Sequence, residues 1–134
     1  MSWALHPDLV RDTAEVARLP LCRVGLMNDS TYPWLVLSPM LTGLRDLHDV
    51  PAGHHAALMD EIGRASRALQ RVYKPDKINV AALGNATPQL HIHVIARFVG
   101  DPAWARPVWG VVPARPYGTA ELGETIAKIA AALQ

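Results

Sequence analysis

The chain contains a single cysteine, Cys22, so no disulfide can form within it. That usage is compatible with a reducing compartment. Neither sign of charge is in excess: 13 Lys and Arg stand against 12 Asp and Glu, a formal net charge of +1. No Lys/Arg cluster occurs, and nothing marks a nucleic-acid or acidic-lipid surface. No apolar stretch reaches the ~18 residues that a membrane span needs. The opening MSWALHPDLVRD lacks a basic region followed by a long apolar run. Repeats, low-complexity tracts and a domain linker are missing as well. What is present is ordinary globular composition, 50% hydrophobic and 19% charged over 134 residues, enough for one domain with a real core. The expectation is one domain over residues 1–134, cytoplasmic, with neither nucleic acid nor membrane among its partners.

Pattern along the chain predicts the elements. Leu5, Leu9, Thr13, Val16 and Ala17 follow helical spacing, with Pro7 and Asp8 at the start and Pro20 as the stop. LCRVGLMND (21–29) reads as a strand closed by turn residues, and WLVLS after Pro33 as its hairpin partner. Asp49 is placed to cap a helix with Pro51 in its first turn. Leu58, Ile62, Ala65, Leu69 and Val72 give that helix, over 51–73, an apolar stripe. Arg64, Arg67, Gln70 and Arg71 fall off the stripe and read as a solvated face. KINVAAL (77–83) and QLHIHVIARF (89–98) are strands joined by GNATP (84–88), a pattern that suggests an antiparallel hairpin. The segment 101–118 is rich in Pro and Trp and reads as irregular. Thr119 caps a last helix with Leu122, Ile126, Ile129 and Leu133 on its apolar side. Helices at both ends, one inside, and antiparallel strands define an α+β fold.

The chemistry concentrates in QLHIHVIARF. On an extended chain, Leu90, Ile92 and Val94 share one face, and Gln89, His91 and His93 share the other. Residues two apart sit roughly 6.5–7 Å from each other, a separation suited to several groups acting on one small ligand. Histidines on a half-exposed strand need no function, but a pair on one face beside a Gly-containing loop favours one. A metal site needs a third ligand. None follows in the strand, Arg97 shares the face, and His48, His54 and His55 could approach but nothing fixes them there. Nucleophilic catalysis asks for less. One imidazole nitrogen attacks phosphorus or carbonyl carbon while the other is held by an acceptor. Loop N–H groups and a neighbouring His then bind the charged oxygens. Trp104 and Trp109, among Pro102, Pro107 and Pro113, either shield the sheet, line the pocket or cover a dimer seam; shielding is favoured by the area each ring buries.

GNATPQLHIHVI resembles the signature of the histidine triad (HIT) superfamily, in which three His alternate with apolar residues after a Gly-Gln turn. Gly84 and Asn85 fall on the Gly and Gln, Gln89 on the first His, His91 on the middle one and His93 on the third. LMND with YPWLVLSP resembles the family's first hairpin, KINVAALG the strand before the triad, and 51–73 its main helix. The resemblance covers residues 20–100; the 101–134 tail lies outside it. It implies an antiparallel sheet of about five strands with a long helix and terminal helices. It also implies a homodimer that continues the sheet. Family enzymes cleave nucleotide phosphoanhydrides or phosphoramidates, such as diadenosine polyphosphates or adenosine phosphoramidate, without a metal or other cofactor. His91 then takes the role of nucleophile, forming a covalent nucleotidyl intermediate, with His93 on the attacked phosphate and Gln89 beside them. Asn85 takes the place of the Gln that binds a phosphate or bridging oxygen. Asn28 falls at the ribose and Leu26 near the base, and Asn79 lies near a recurrent Asn.

This chain departs from that pattern. Gln89 donates and accepts hydrogen bonds but cannot carry a proton on and off. Asn85 is a methylene shorter than Gln. SPMLTG, with Met40 and Thr42, lacks the basic residue and His often found after the second strand's Pro. The alternative expectation is therefore a nucleotide-binding protein of the same fold with little or no turnover.

Overall fold

In the computed structural model, which describes residues 2–134, the chain runs through α1 (Pro7–Asp12), β1 (Thr13–Arg18), β2 (Cys22–Met27), β3 (Trp34–Pro39), α2 (His55–Tyr73), β4 (Lys77–Ala81), β5 (Ile92–Arg97) and α3 (Thr119–Ala132). The five strands form one antiparallel sheet in the order β1-β2-β3-β5-β4. No helix among the described residues is long and apolar enough to cross a membrane.

One face of the sheet carries the larger core. Val24, Leu26, Leu35, Leu37, Ile92 and Val94 pack there against Leu58, Ala65 and Leu69 of α2 and Ile129 of α3. Each of the large aliphatic side chains contributes about 1.5–3 kcal/mol by leaving water. Glu61 is buried on the same side of α2, where its carboxylate accepts the N–H groups of Leu21 and Cys22 at 2.8 and 2.7 Å. These bonds tie the start of β2 to the helix and satisfy a charge that burial would otherwise penalise.

The other face holds a second, smaller core of Trp34, Val36 and Ile95, covered by Leu9 of α1 and by Ala103 and Val108 from the 101–118 segment. That segment has no helix or strand, and it covers the sheet as the Trp and Pro content suggests. Its anchor is Asp101. The carboxylate accepts two N–H groups of Arg97 at 2.8 and 3.0 Å, together with the amides of Phe98, Ala103 and Trp104.

Several expectations are corrected. The first helix ends at Asp12, and 13–18 is the edge strand β1 rather than helix. The register shifts between Glu15 and Ala17, so consecutive residues Val16 and Ala17 both pack against the core. A bulge thus imitates the three-and-four spacing of a helix. Asp46, not Asp49, is the N-cap of the short 3-10 turn Leu47–Asp49, and the Asp49 carboxylate accepts the amides of Arg45 and Asp46; α2 begins only at His55. Arg64 and Arg71 are not merely solvated: they donate to the carbonyls of Leu133 and Ala132 at the C-terminal end of α3, where a cation is favoured. Strand β5 begins at Ile92 rather than Gln89, which leaves 82–91 as the connection.

Candidate active site

The approach to β5 is held from two sides. Leu90 N–H donates to the carbonyl of Leu44 at 3.0 Å. The Gln89 side chain accepts from His6 N–H and donates to the Ala4 carbonyl, both at 2.8 Å. Between these ties, the alternation read from the sequence persists: Leu90, Ile92 and Val94 enter the main core, while His91 and His93 line a cleft on the opposite face. The two rings lie edge to face with centroids 5.0 Å apart.

Hydrogen bonding fixes both tautomers. His91 Nδ1 is 2.7 Å from the Gln89 carbonyl oxygen. A carbonyl only accepts, so Nδ1 carries the proton and Nε2 keeps its lone pair. Trp34 Nε1–H donates to His93 Nδ1 at 2.9 Å. An indole only donates, so the His93 proton sits on Nε2. One ring therefore offers a nucleophilic nitrogen and its neighbour an N–H donor. Burial, and secondarily the adjacent His91, pull the His93 pKa down to about 4.

The cleft measures about 370 Å³ and is bordered by Gly84, Asn85 and Thr87 on one side and by Asp12, Met27 and Trp109 on the other. Gly84 has φ +74°, and a Cβ there would come within 3.1 Å of the Thr87 carbonyl oxygen and 3.9 Å of His91 Cε1. Only glycine makes that turn without strain. The turn is pinned by Thr87 Oγ1–H, which donates to Asp8 on α1 at 2.8 Å. Trp109 stands edge-on to both His93 and Trp34, with centroids 5.0 and 5.6 Å away. Among the described residues no Lys or Arg lines the cleft, and its one carboxylate, Asp12, is paired with Arg11. An adjoining cavity of about 360 Å³ shares Asp12, Met27 and Trp109 and is bordered also by Arg11, Asn28 and Asp29.

Of the residues singled out in the sequence, His91, His93, Gly84 and Asn85 meet at the cleft. Asn28 borders the adjoining cavity, with its side-chain oxygen accepting Tyr117 N–H at 2.9 Å. Three do not reach the site. Gln89 faces the N-terminal segment, and both of its side-chain polar atoms are occupied there. Leu26 is fully buried on the helix-covered face; the next residue on β2, Met27, points the other way and lines the cleft. Asn79 accepts an Arg97 N–H on its side-chain oxygen at 2.7 Å. Arg97 itself, 2% exposed, has its donors on Asp101 and Asn79 and does not line the cleft. The sequence reading missed Trp34, Asp12, Met27 and Thr87. Trp34 reaches His93 because β3 pairs with β5, a neighbour relation between strands distant in sequence. As to metal donors, His55 Nε2 bonds the Val50 carbonyl oxygen at 2.8 Å, and neither His54 nor His55 lines the cleft. Among the described residues the three-donor group is the exposed Asp46, His48 and Asp49, which includes neither triad histidine.

The fold and the paired imidazoles agree with the comparisons to known proteins. The HIT domain profile matches residues 9–100. A histidine triad protein from Bradyrhizobium japonicum is 42% identical, with a TM-score of 0.96 over 100% of both chains. Another from Marinobacter aquaeolei VT8 is 41% identical, with a TM-score of 0.95 over 99% of this chain and 97% of that one. A third, from Sinorhizobium meliloti 1021, is 38% identical over 95% of this chain and 94% of its own, TM-score 0.92. No curated protein matches the sequence. The chain belongs to the histidine triad family. The profile reaches back to Leu9 on α1, earlier than the resemblance alone implied, and the similarity to the first two structures takes in the 101–134 tail.

Proposed function

We propose that the protein is a nucleotide phosphoanhydride or phosphoramidate hydrolase, or a nucleotidyl transferase, acting through a covalent intermediate on His91. The observation that carries this reading is the His91 ring itself: Nδ1–H is tied to the Gln89 carbonyl, and Nε2 is left unpaired beside the His93 donor. In the first step His91 Nε2 attacks the α-phosphorus. The bond to the leaving oxygen or nitrogen breaks, and the leaving group takes the electron pair and acquires a proton from solvent. In the second, water attacks phosphorus and gives one proton to solvent, the P–Nε2 pair returns to the imidazole, and the nucleoside monophosphate departs with the hydroxyl. His93 Nε2–H, the Asn85 side chain and the open N–H groups of the Gly84 turn hold the charged oxygens, at a few kcal/mol of transition-state stabilisation per donor.

Charge around His91 does not select one end of this substrate range. Asp12 is neutralised by Arg11, and the cavities adjoining the cleft carry Arg11 on one side and Arg45 with His48 on the other, which leaves room for a phosphoramidate and a polyphosphate alike. Adenosine phosphoramidate and a diadenosine polyphosphate, assayed side by side with EDTA present, test both ends. Product from either in EDTA supports the reading; strict metal dependence contradicts it.

A second reading, binding without turnover, draws on one observation: Gln89 is engaged with Ala4 and His6 and supplies no proton to a leaving group. Nucleotide binding with no product in the same assay favours it. The reading also includes a homodimer. Strand β4 is a sheet edge, and Val80 on it and Leu83 beyond it are each 49% exposed. A second copy pairing there continues the sheet and covers both. Light scattering on the purified protein gives the mass that decides it.

A further inference from the structure

We propose that Trp34 is a positioning residue for this chemistry: by donating its indole N–H to Nδ1, it keeps His93 a neutral ring whose only proton is on Nε2, facing the cleft. The placement follows from the sheet. Trp34 is the first residue of β3, Val36 lies opposite His93 and Trp34 opposite Ile95, so the indole reaches diagonally across the strand pair to the histidine. Trp34 is 6% exposed, and a buried indole N–H without an acceptor is costly; His93 Nδ1 is the acceptor it finds. The contact is single-sided in chemistry. A doubly protonated His93 would turn a second N–H toward the indole N–H, losing the bond and adding repulsion between two donors.

The groups around His93 give this lock a purpose. His91 stands beside it, immediately before β5, Asp12 with its partner Arg11 faces the cleft from α1, and Asp8 holds Thr87 nearby. Tyr32 and the Arg97–Asp101 pair lie farther along the same sheet face. The Asp12 carboxylate favours a cationic ring; Trp34 opposes it. If His93 became cationic, it would sit 5.0 Å from His91, whose own ring gains positive charge once Nε2 is bonded to phosphorus, and like charges at that distance repel. Burial and, second, the neighbouring His91 already pull the His93 pKa down to about 4, and the hydrogen bond from Trp34 acts in the same direction. The structural consequence concerns the protein alone; the kinetic one rests on the reading of His91 as nucleophile.

Nitrogen-15 NMR of the imidazoles tests the proposal on the full-length protein without substrate. In the wild type, the His93 proton is expected on Nε2. In Trp34→Phe, which keeps an aromatic ring but has no N–H, His93 is expected to show both tautomers, with its titration midpoint raised about one unit or more, a tenfold gain in proton affinity. Trp109→Phe removes the other indole touching His93, which makes no hydrogen bond to it, and is expected to leave the proton on Nε2. With activity in hand, the acid limb of kcat/KM moves to higher pH in Trp34→Phe along with the NMR midpoint. A wild-type His93 protonated on Nδ1 would overturn the proposal by itself, even if Trp34→Phe failed to fold. So would a Trp34→Phe protein with unchanged tautomer and midpoint. Because these spectra need no turnover, they decide the role of Trp34 even if the nucleophile assignment fails.

Discussion

The Nδ1–H of His91 donates to the main-chain carbonyl of Gln89, 2.7 Å away. The orienting acceptor for the proposed nucleophile is thus backbone, and it lies at the position where the triad pattern has a histidine. The side chain at that position is free to do something else. Here it clasps the N-terminal segment through Ala4 and His6.

Removing the Gln89 side chain should therefore separate stability from catalysis. In Gln89→Ala the carbonyl remains, while two side-chain hydrogen bonds to 4–6 are lost, an expected cost of about 1–3 kcal/mol. Denaturant unfolding and amide exchange at His6 read the loss. Turnover is expected to stay within about tenfold of wild type, a change of about 1.4 kcal/mol in barrier. A loss as deep as that of His91→Ala would show that the side chain, not the carbonyl, matters.

Asn79 is expected to behave as a structural residue. Asn79→Ala leaves the buried Arg97 guanidinium without one acceptor and should destabilise the protein by about 1–3 kcal/mol. Because Asn79 lies outside the cleft, KM for a nucleotide substrate should stay within about twofold, under 0.5 kcal/mol. A large rise in KM with unchanged stability would return Asn79 to the substrate.

Acid should weaken the fold, with a sign set by two groups. The folded state holds the His93 pKa at about 4 against an ordinary 6.5, so the unfolded chain binds a proton there that the folded one refuses. Stability falls as pH drops from 6.5 toward 4, by on the order of 2–3 kcal/mol. Burial pushes Asp101 up, but the hydrogen bonds from Arg97 and from the amides of Phe98 and Ala103 prevail and hold it at about 2, below its ordinary 3.8. Its contribution is full above 3.8 and is lost as pH falls through 2. Urea unfolding at about pH 7 and about pH 4.5 measures the first window. His93→Gln should flatten it; an unchanged slope would show that His93 takes its proton normally.

How much of this was legible in the sequence depends on whether the signal was local. The alternation Leu90-His91-Ile92-His93 announced both faces of the strand, and the stripe on α2 announced its packing side. β1 was not legible, because the bulge beside Val16 copies helical spacing. Leu26 was misplaced by one residue, and on a strand one residue changes the face. Trp34 and Asp12 were invisible for a different reason. Their approach to His93 and the cleft depends on β3 lying beside β5 and on α1 crossing the site, contacts that no spacing within one segment encodes. Register with the first His of the triad pattern puts Gln89 at the site, and Arg97 reads either as steering a phosphate or as pairing with an Asp. The structure buries or engages them, one with the N-terminal segment and the other with Asp101.

The most direct test of the account is mass spectrometry of the protein quenched during turnover of adenosine phosphoramidate. An adenylyl group on the peptide carrying His91, and none in His91→Ala, is the predicted result. Product formation without an adduct, undiminished in His91→Ala, would contradict it.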